Sequence, residues 1–124
     1  MDEDFTIQYL PDYLLVEHPS EIDISVEVTN KFWTALKAAC KSTSYKHVLC
    51  EGRIARRTLK MLDIFDTASM AGRVALGLKM ACVFENYTPD ERTALFKMVA
   101  LRHGAIVNFF SSREEAIAWL NVGS

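Results

Sequence analysis

His47-Val48-Leu49-Cys50, then Glu51-Gly52-Arg53-Ile54-Ala55-Arg56-Arg57, then a long periodic run from Thr58 to about Leu76, is the stretch that decides the fold. The first four residues read as a short buried strand, because an apolar run of this length bounded by turn signals suits a covered β-strand. The next seven read as a turn carrying three arginines. Thr58 is placed to cap the helix that follows, since a hydroxyl at the N-cap accepts from a free backbone N–H of the first turn. A strand, a basic turn and a helix in this order suggest an α/β domain, whose working surface usually lies outside the carboxyl ends of its strands.

Outward from this stretch the same alternation continues. Phe5-Thr6-Ile7-Gln8-Tyr9-Leu10 alternates as a half-wet strand should, and Tyr13 to His18 forms its antiparallel neighbour across Pro11-Asp12. Asp23 or Ser25 caps a helix over about Val26 to Lys41, with Val28, Phe32, Ala35, Leu36 and Ala39 on one face and Trp33 and Cys40 at its border. Lys79 to Phe84 is a further buried strand. Thr88-Pro89-Asp90-Glu91 supplies an N-cap, a proline at the first helical position and a capping box for a helix to His103, with Gly104 at its left-handed end. Ala105 to Phe110 is the last strand, and Ser112-Arg113-Glu114-Glu115 opens a terminal helix through Trp119-Leu120 that Gly123 ends. The order is ββαβαβαβα in one domain over residues 1–124. It implies a five-stranded mixed sheet in which the Tyr13, His47, Lys79 and Ala105 strands are parallel and the Phe5 strand is an antiparallel edge.

Composition narrows the function classes. The chain has 124 residues, half of them hydrophobic and 24% charged, which is globular and enough for one core. A net charge of −2 gives the molecule no field for nucleic acid. Met1-Asp2-Glu3-Asp4 is acidic where a secretory leader is basic, and no apolar run reaches a membrane-spanning length, so a cytoplasmic protein is expected. Cys40, Cys50 and Cys82 are an odd number without a CxxC pair and read as buried free thiols.

His18, His47 and His103 lack metal-ligand spacing, and no nucleophile elbow, zinc-protease, Walker or dinucleotide motif is present, so neither a catalytic residue, a metal nor a cofactor is expected. His103 suits a helix C-terminus, where a protonated imidazole favours the dipole. Asp63 and Asp66 share a helix face, but with no histidine or cysteine near them in sequence they make no acid–base pair. The run from Thr58 buries Met61, Ile64, Phe65, Ala68, Ala71, Gly72 and Ala75 on one face. Asp63, Asp66, Thr67 and Arg73 fall on the other, interleaved with Leu59, Leu62, Met70 and Val74, more apolar surface than a solvated helix needs. Arg53, Arg56, Arg57 and Lys60 crowd the N-terminus of this helix. Cations are unfavourable there, whereas an anion or an acidic partner would be favoured.

The opening hairpin Ile7–Leu10 and Tyr13–His18 with the Val26 helix, the His47–Cys50 strand entering a long helix after a loop, and the ending Phe110-Ser111-Ser112-Arg113-Glu114-Glu115-Ala116-Ile117-Ala118-Trp119-Leu120 resemble the STAS domains, the anti-sigma-factor antagonists, and their SpoIIAA-like relatives. The resemblance covers nearly the whole chain, and the ending is its most specific part. It implies the SpoIIAA-like fold and a non-enzymatic regulatory module that binds a protein, or in some members a nucleotide or lipid. Phosphorylated members carry an acidic residue and a serine between the third strand and the next helix. Here that loop has no Asp-Ser-Ser type of motif, and Thr58 is the hydroxyl nearest the matching helix start. The expected contact set is therefore Arg53, Arg56, Arg57, Thr58 and Lys60 for an anion or partner. Leu59, Leu62, Asp63, Asp66, Met70 and Val74 are expected to meet a regulatory protein or an identical subunit. The alternative ligand is a phosphate-bearing small molecule, a nucleotide or a lipid headgroup held by the arginines.

Overall fold

The computed structural model describes residues 6–17, 22–24, 26–41, 45–52, 55–57, 61–74, 77–85, 87–88 and 90–121. In chain order these form β1 (Thr6–Tyr9), β2 (Leu14–Glu17), β3 (Ile22–Ile24), α1 (Val26–Lys41), β4 (His47–Gly52), β5 (Ala55–Arg57), α2 (Met61–Val74), β6 (Lys79–Phe84), α3 (Glu91–Arg102), β7 (Ile106–Phe110) and α4 (Arg113–Leu120). The main sheet has the order β1-β2-β4-β6-β7. β1 is antiparallel to β2, and β2, β4, β6 and β7 are parallel. The mixed five-stranded sheet expected from the sequence is thus the observed one.

Two short strands were not foreseen. β3 and β5 pair in parallel outside the main sheet, with Asp23 in register with Arg56 and Ile24 with Arg57. Residues 55–57, read above as part of a turn, are therefore strand, and Asp23 lies within β3 rather than capping α1. Three residues are too few to show a period, and the pairing joins segments far apart in the chain, so no local signal reports it.

The strand order follows the chain, so every crossover steps the same way across the sheet. Right-handed crossovers that step one way place their helices on one face. Side chains alternate across each strand, and this divides the core in two. On the face under α1, α2 and α3, Leu14, Val16, Val48, Cys50, Met80, Cys82 and Val107 pack with Phe32, Trp33, Leu36, Ala39, Ala71 and Ala100. On the other face, Tyr13, Leu15, Leu49, Ala81 and Val83 pack with Ala116 and Leu120 of α4. Trp119 is half-buried, with its ring 5.7 Å from that of Phe110. Lys79 Nζ lies 4.6 Å from the Trp119 ring centre and donates to the Trp119 carbonyl at 2.6 Å, supporting the end of α4.

α2 is locked on both sides. Towards α1, Trp33 Nε1 donates to Thr67 Oγ1 at 2.8 Å, and the two residues are 3% and 7% exposed. Thr67 was placed on the wet face; packing of α1 widens the buried arc to include it, and the indole satisfies its hydroxyl. Towards α3, a Cβ at Gly72 would stand 2.0 Å from His103 Cβ, so the two helix ends approach as closely as a glycine permits. Met70 and Val74, read as outward-facing, are half-buried against the helix-side core. Phe65, read as core, is half exposed.

The caps correct two boundaries. α3 is capped by Asp90, not Thr88: Asp90 Oδ1 accepts from Thr93 N at 2.9 Å, and Thr93 Oγ1 accepts from Asp90 N at 3.4 Å. Pro89 lies outside the described residues. Ser112 caps α4 as expected, accepting from Glu115 N at 3.3 Å. Asn121, at φ 62°, ends that helix, ahead of Gly123, which lies outside the described residues.

Two stability outcomes follow from this packing. Thr67→Val keeps the side-chain volume and removes the acceptor of a buried indole N–H, so it should cost about 1–3 kcal/mol in denaturant unfolding. Leu120→Ala, at a fully buried position, should cost about 2–5 kcal/mol. Trp119→Ala should also destabilise the fold, because its partly buried ring packs on Phe110 and under Lys79.

Candidate functional site

The carboxyl ends of β2, β4 and β6 bring polar residues together on the α4 side of the sheet. Glu17 and Glu51 are register partners on adjacent parallel strands, and Glu85 follows directly on β6. Period-two alternation puts Glu51 on the same face as Leu49, towards α4. There Arg113 Nε, in the first turn of α4, lies 3.5 Å from Glu51 Oε2. Burial pushes the Glu51 carboxyl above its ordinary value; Arg113 opposes this, and Glu17, Cys50 and Glu85 add to it. The ion pair ties Glu51 to a residue that arrives from the far end of the chain.

After β4 the chain order continues with β5 and then α2. Arg53, Thr58, Leu59 and Lys60 lie outside the described residues. Arg56 and Arg57 occupy consecutive positions of β5. Beyond them, α2 opens with its least covered side chains. Leu62 is 80% and Phe65 50% exposed, three residues apart on one helix face, with Asp66 exposed and Asp63 half-buried beside them. Of the apolar contact residues read from sequence, Leu62 is free to meet a partner, whereas Met70 and Val74 are committed to the core margin. Phe65 was missed because its spacing from Ile64, Ala68 and Ala71 fits the buried stripe; only the path of the neighbouring helices leaves it in water.

None of the three thiols is in a disulfide, as read from sequence. Cys50 and Cys82 are buried register partners on β4 and β6. A hydrogen bond to Cys50, reinforced by burial, holds the Cys82 thiol well above its ordinary range. Burial likewise raises Cys40. Such thiols stay protonated and are weak nucleophiles. Among the described residues no group of three His, Cys, Asp or Glu side chains could hold a metal ion, and no helix is long and apolar enough to cross a membrane. His103 is the C-cap of α3, and its backbone N–H bonds back into the last turn.

The raised Glu51 pKa has a defined consequence. The folded state holds the proton more tightly than the unfolded chain, so this group's contribution to stability is greatest below the unfolded carboxylate range and falls as pH rises through the folded value. Glu51→Gln should flatten that fall, so that the variant gains on the native chain between pH 4.5, the ordinary value, and neutrality. Denaturant unfolding at both pH values measures it; an unchanged pH slope would show that Arg113 fully offsets the burial.

No family model matches the chain, and no curated protein matches it. A solved structure does. An uncharacterised protein of the DUF3478 family from Shewanella loihica PV-4, described as having a SpoIIAA-like fold, superposes with a TM-score of 0.53 over 94% of this chain and 91% of its own, at 16% identity. With the β1-β2-β4-β6-β7 order and the helices α1–α4, this establishes the fold of the chain as SpoIIAA-like.

Proposed function

We propose that the chain is a non-enzymatic regulatory binding module that meets a partner protein through the segment after β4 and the start of α2. The observation that carries this reading is the exposure of Leu62 and Phe65 side by side at the head of a helix whose remaining length is locked into the core. Apolar side chains held out by a rigid element lose little freedom on binding, so burying them yields a net gain. Asp66, exposed beside them, and the half-buried Asp63 put charge at the border of that apolar centre, the arrangement typical of protein interfaces. The SpoIIAA-like fold supports the reading through the family resemblance, in which the loop and helix after the third main-sheet strand meet the partner.

A second reading keeps the arginines as an anion site for a phosphate-bearing small molecule, a nucleotide or a lipid headgroup. Its support is the position of Arg56 and Arg57 just ahead of the α2 N-terminus. Against a single clamp stands Asp23 as the register neighbour of Arg56.

The two readings separate in one experiment. Native chain and a Leu62→Asp, Phe65→Asp variant serve as baits in affinity capture from cells that make the protein, in parallel with thermal melts in inorganic phosphate and in anionic lipid vesicles. The protein-binding reading expects a partner held by the native chain, lost from the variant, and retained when salt is raised. If instead phosphate or vesicles raise the melting temperature, Arg56→Glu with Arg57→Glu removes that shift, and Leu62→Asp with Phe65→Asp changes nothing, the anion reading replaces it.

A further inference from the structure

The two edges of the main sheet are finished differently. At the β7 edge, Ile106 N–H donates to Leu78 O at 3.1 Å, so by the alternation of a parallel ladder Val107 and Phe109 direct their backbone groups outward. The outward N–H of Phe109 is taken up by the adjacent Asn108 side chain at 2.9 Å. That edge is partly closed by its own sequence, and α3 packs along it.

Among the described residues the β1 edge has no such closure. Leu10 N–H donates to Tyr13 O at 3.1 Å, which makes Leu10 and Tyr13 a hydrogen-bonded pair of the β1–β2 hairpin. Hydrogen-bonded pairs recur at every second residue, so Gln8 and Thr6 bond inward to β2, while Ile7 and Tyr9 direct N–H and C=O outward. Among the described residues, none bonds these outward groups. β1 has no lysine, proline or charged side chain, the usual protections of an edge strand. Its exposed Tyr9 ring lies on the helix side of the sheet, 6.2 Å from the ring of Tyr45.

We infer that β1 pairs with β1 of a second copy of this chain, antiparallel about a twofold axis at Gln8, joining two five-stranded sheets into one. The free groups are self-complementary about that axis. Ile7 of one copy faces Tyr9 of the other, and each such pair exchanges both of its N–H···O bonds. The same pairing lays the exposed Tyr9 ring against the Ile7 of the second copy, a favourable aromatic with β-branched contact. At the axis Gln8 meets its own copy. Its Nε2 already donates to Glu17 Oε1 at 3.2 Å, which leaves one N–H and the Oε1 acceptor for an amide-to-amide bond. An uncharged strand meets its copy without repulsion, whereas a charged peptide would find no counter-charge on β1. This contact is separate from the α2 surface, so neither reading depends on the other.

Sedimentation velocity of the full chain across the micromolar range tests the inference, with hydrogen exchange at Ile7 and Tyr9 as a residue-level readout. A reversible dimer is expected, with those two amides slowing as concentration rises. Gln8→Lys places like charges on the axis and should weaken the dimer about tenfold or more. Tyr9→Pro removes an outward N–H without touching a β1–β2 bond, which an edge strand tolerates, and should give a monomer. Leu62→Asp should leave the dimer intact. If Tyr9→Pro does not fold, Gln8→Lys decides, because the residue 8 side chain is exposed and its backbone bonds are kept. A native chain that stays monomeric, a dimer that survives Gln8→Lys, or a dimer lost in Leu62→Asp would each overturn the inference.

Discussion

The structure depends on the parallel pairing of β4 with β6 at the centre of a sheet covered on both faces. Their register runs from His47 opposite Lys79 to Gly52 opposite Phe84. A strand buried on both sides needs apolar residues at successive positions rather than alternate ones. Val48, Leu49 and Cys50 on β4 and Met80, Ala81, Cys82 and Val83 on β6 meet that need. Cys50 and Cys82, side by side in the register, act there as small apolar fillers, and burial with the hydrogen bond to Cys50 holds the Cys82 thiol protonated. Each fully buried aliphatic side chain in these layers contributes roughly 1.5–3 kcal/mol against exposure.

From this centre the polarity of the molecule follows. The strands become polar where they leave cover, so Glu17, Glu51 and Glu85 collect at one edge. α4 is short and covers only the middle of its face, yet its first turn brings Arg113 to Glu51. The ion pair ties the end of the chain to the central strand. The net upward shift of Glu51 shows that desolvation outweighs the attraction of Arg113, the usual balance for a partly buried pair. α4 is therefore held chiefly by Ala116 and Leu120, with Lys79 supporting its carbonyl end.

α2 carries the exposed apolar pair on which the proposed function rests. Its middle is held by the Trp33–Thr67 hydrogen bond and its end by the close approach of Gly72 to His103. The turns at the far end of α2 and α3 are joined as well, through Gly77 N–H to Gly104 O at 3.0 Å, both glycines at positive φ. A helix fixed along its length cannot turn Leu62 and Phe65 inward to escape water. Their exposure is thus a consequence of packing elsewhere, and a rigid apolar pair at the working edge of an α/β sheet is suited to recognition.

Much of this was legible in the sequence. The main strands, the order of helices between them, the antiparallel first strand and the Ser112 cap each rest on local signals: apolar runs, a helical period, hydroxyls at helix starts. Those signals depend on a few neighbouring residues, and the chain carries them wherever it goes. What tertiary structure alone decided is whatever needs a partner distant in sequence. The β3–β5 pair exists only when two three-residue segments meet. Thr67 is buried because α1 brings Trp33 to it, Phe65 is exposed because none of the described elements covers it, and Glu51 meets Arg113 from the other end of the chain. Periodicity places a side chain on a face of its own helix or strand; which face is covered is settled by the elements that arrive from elsewhere.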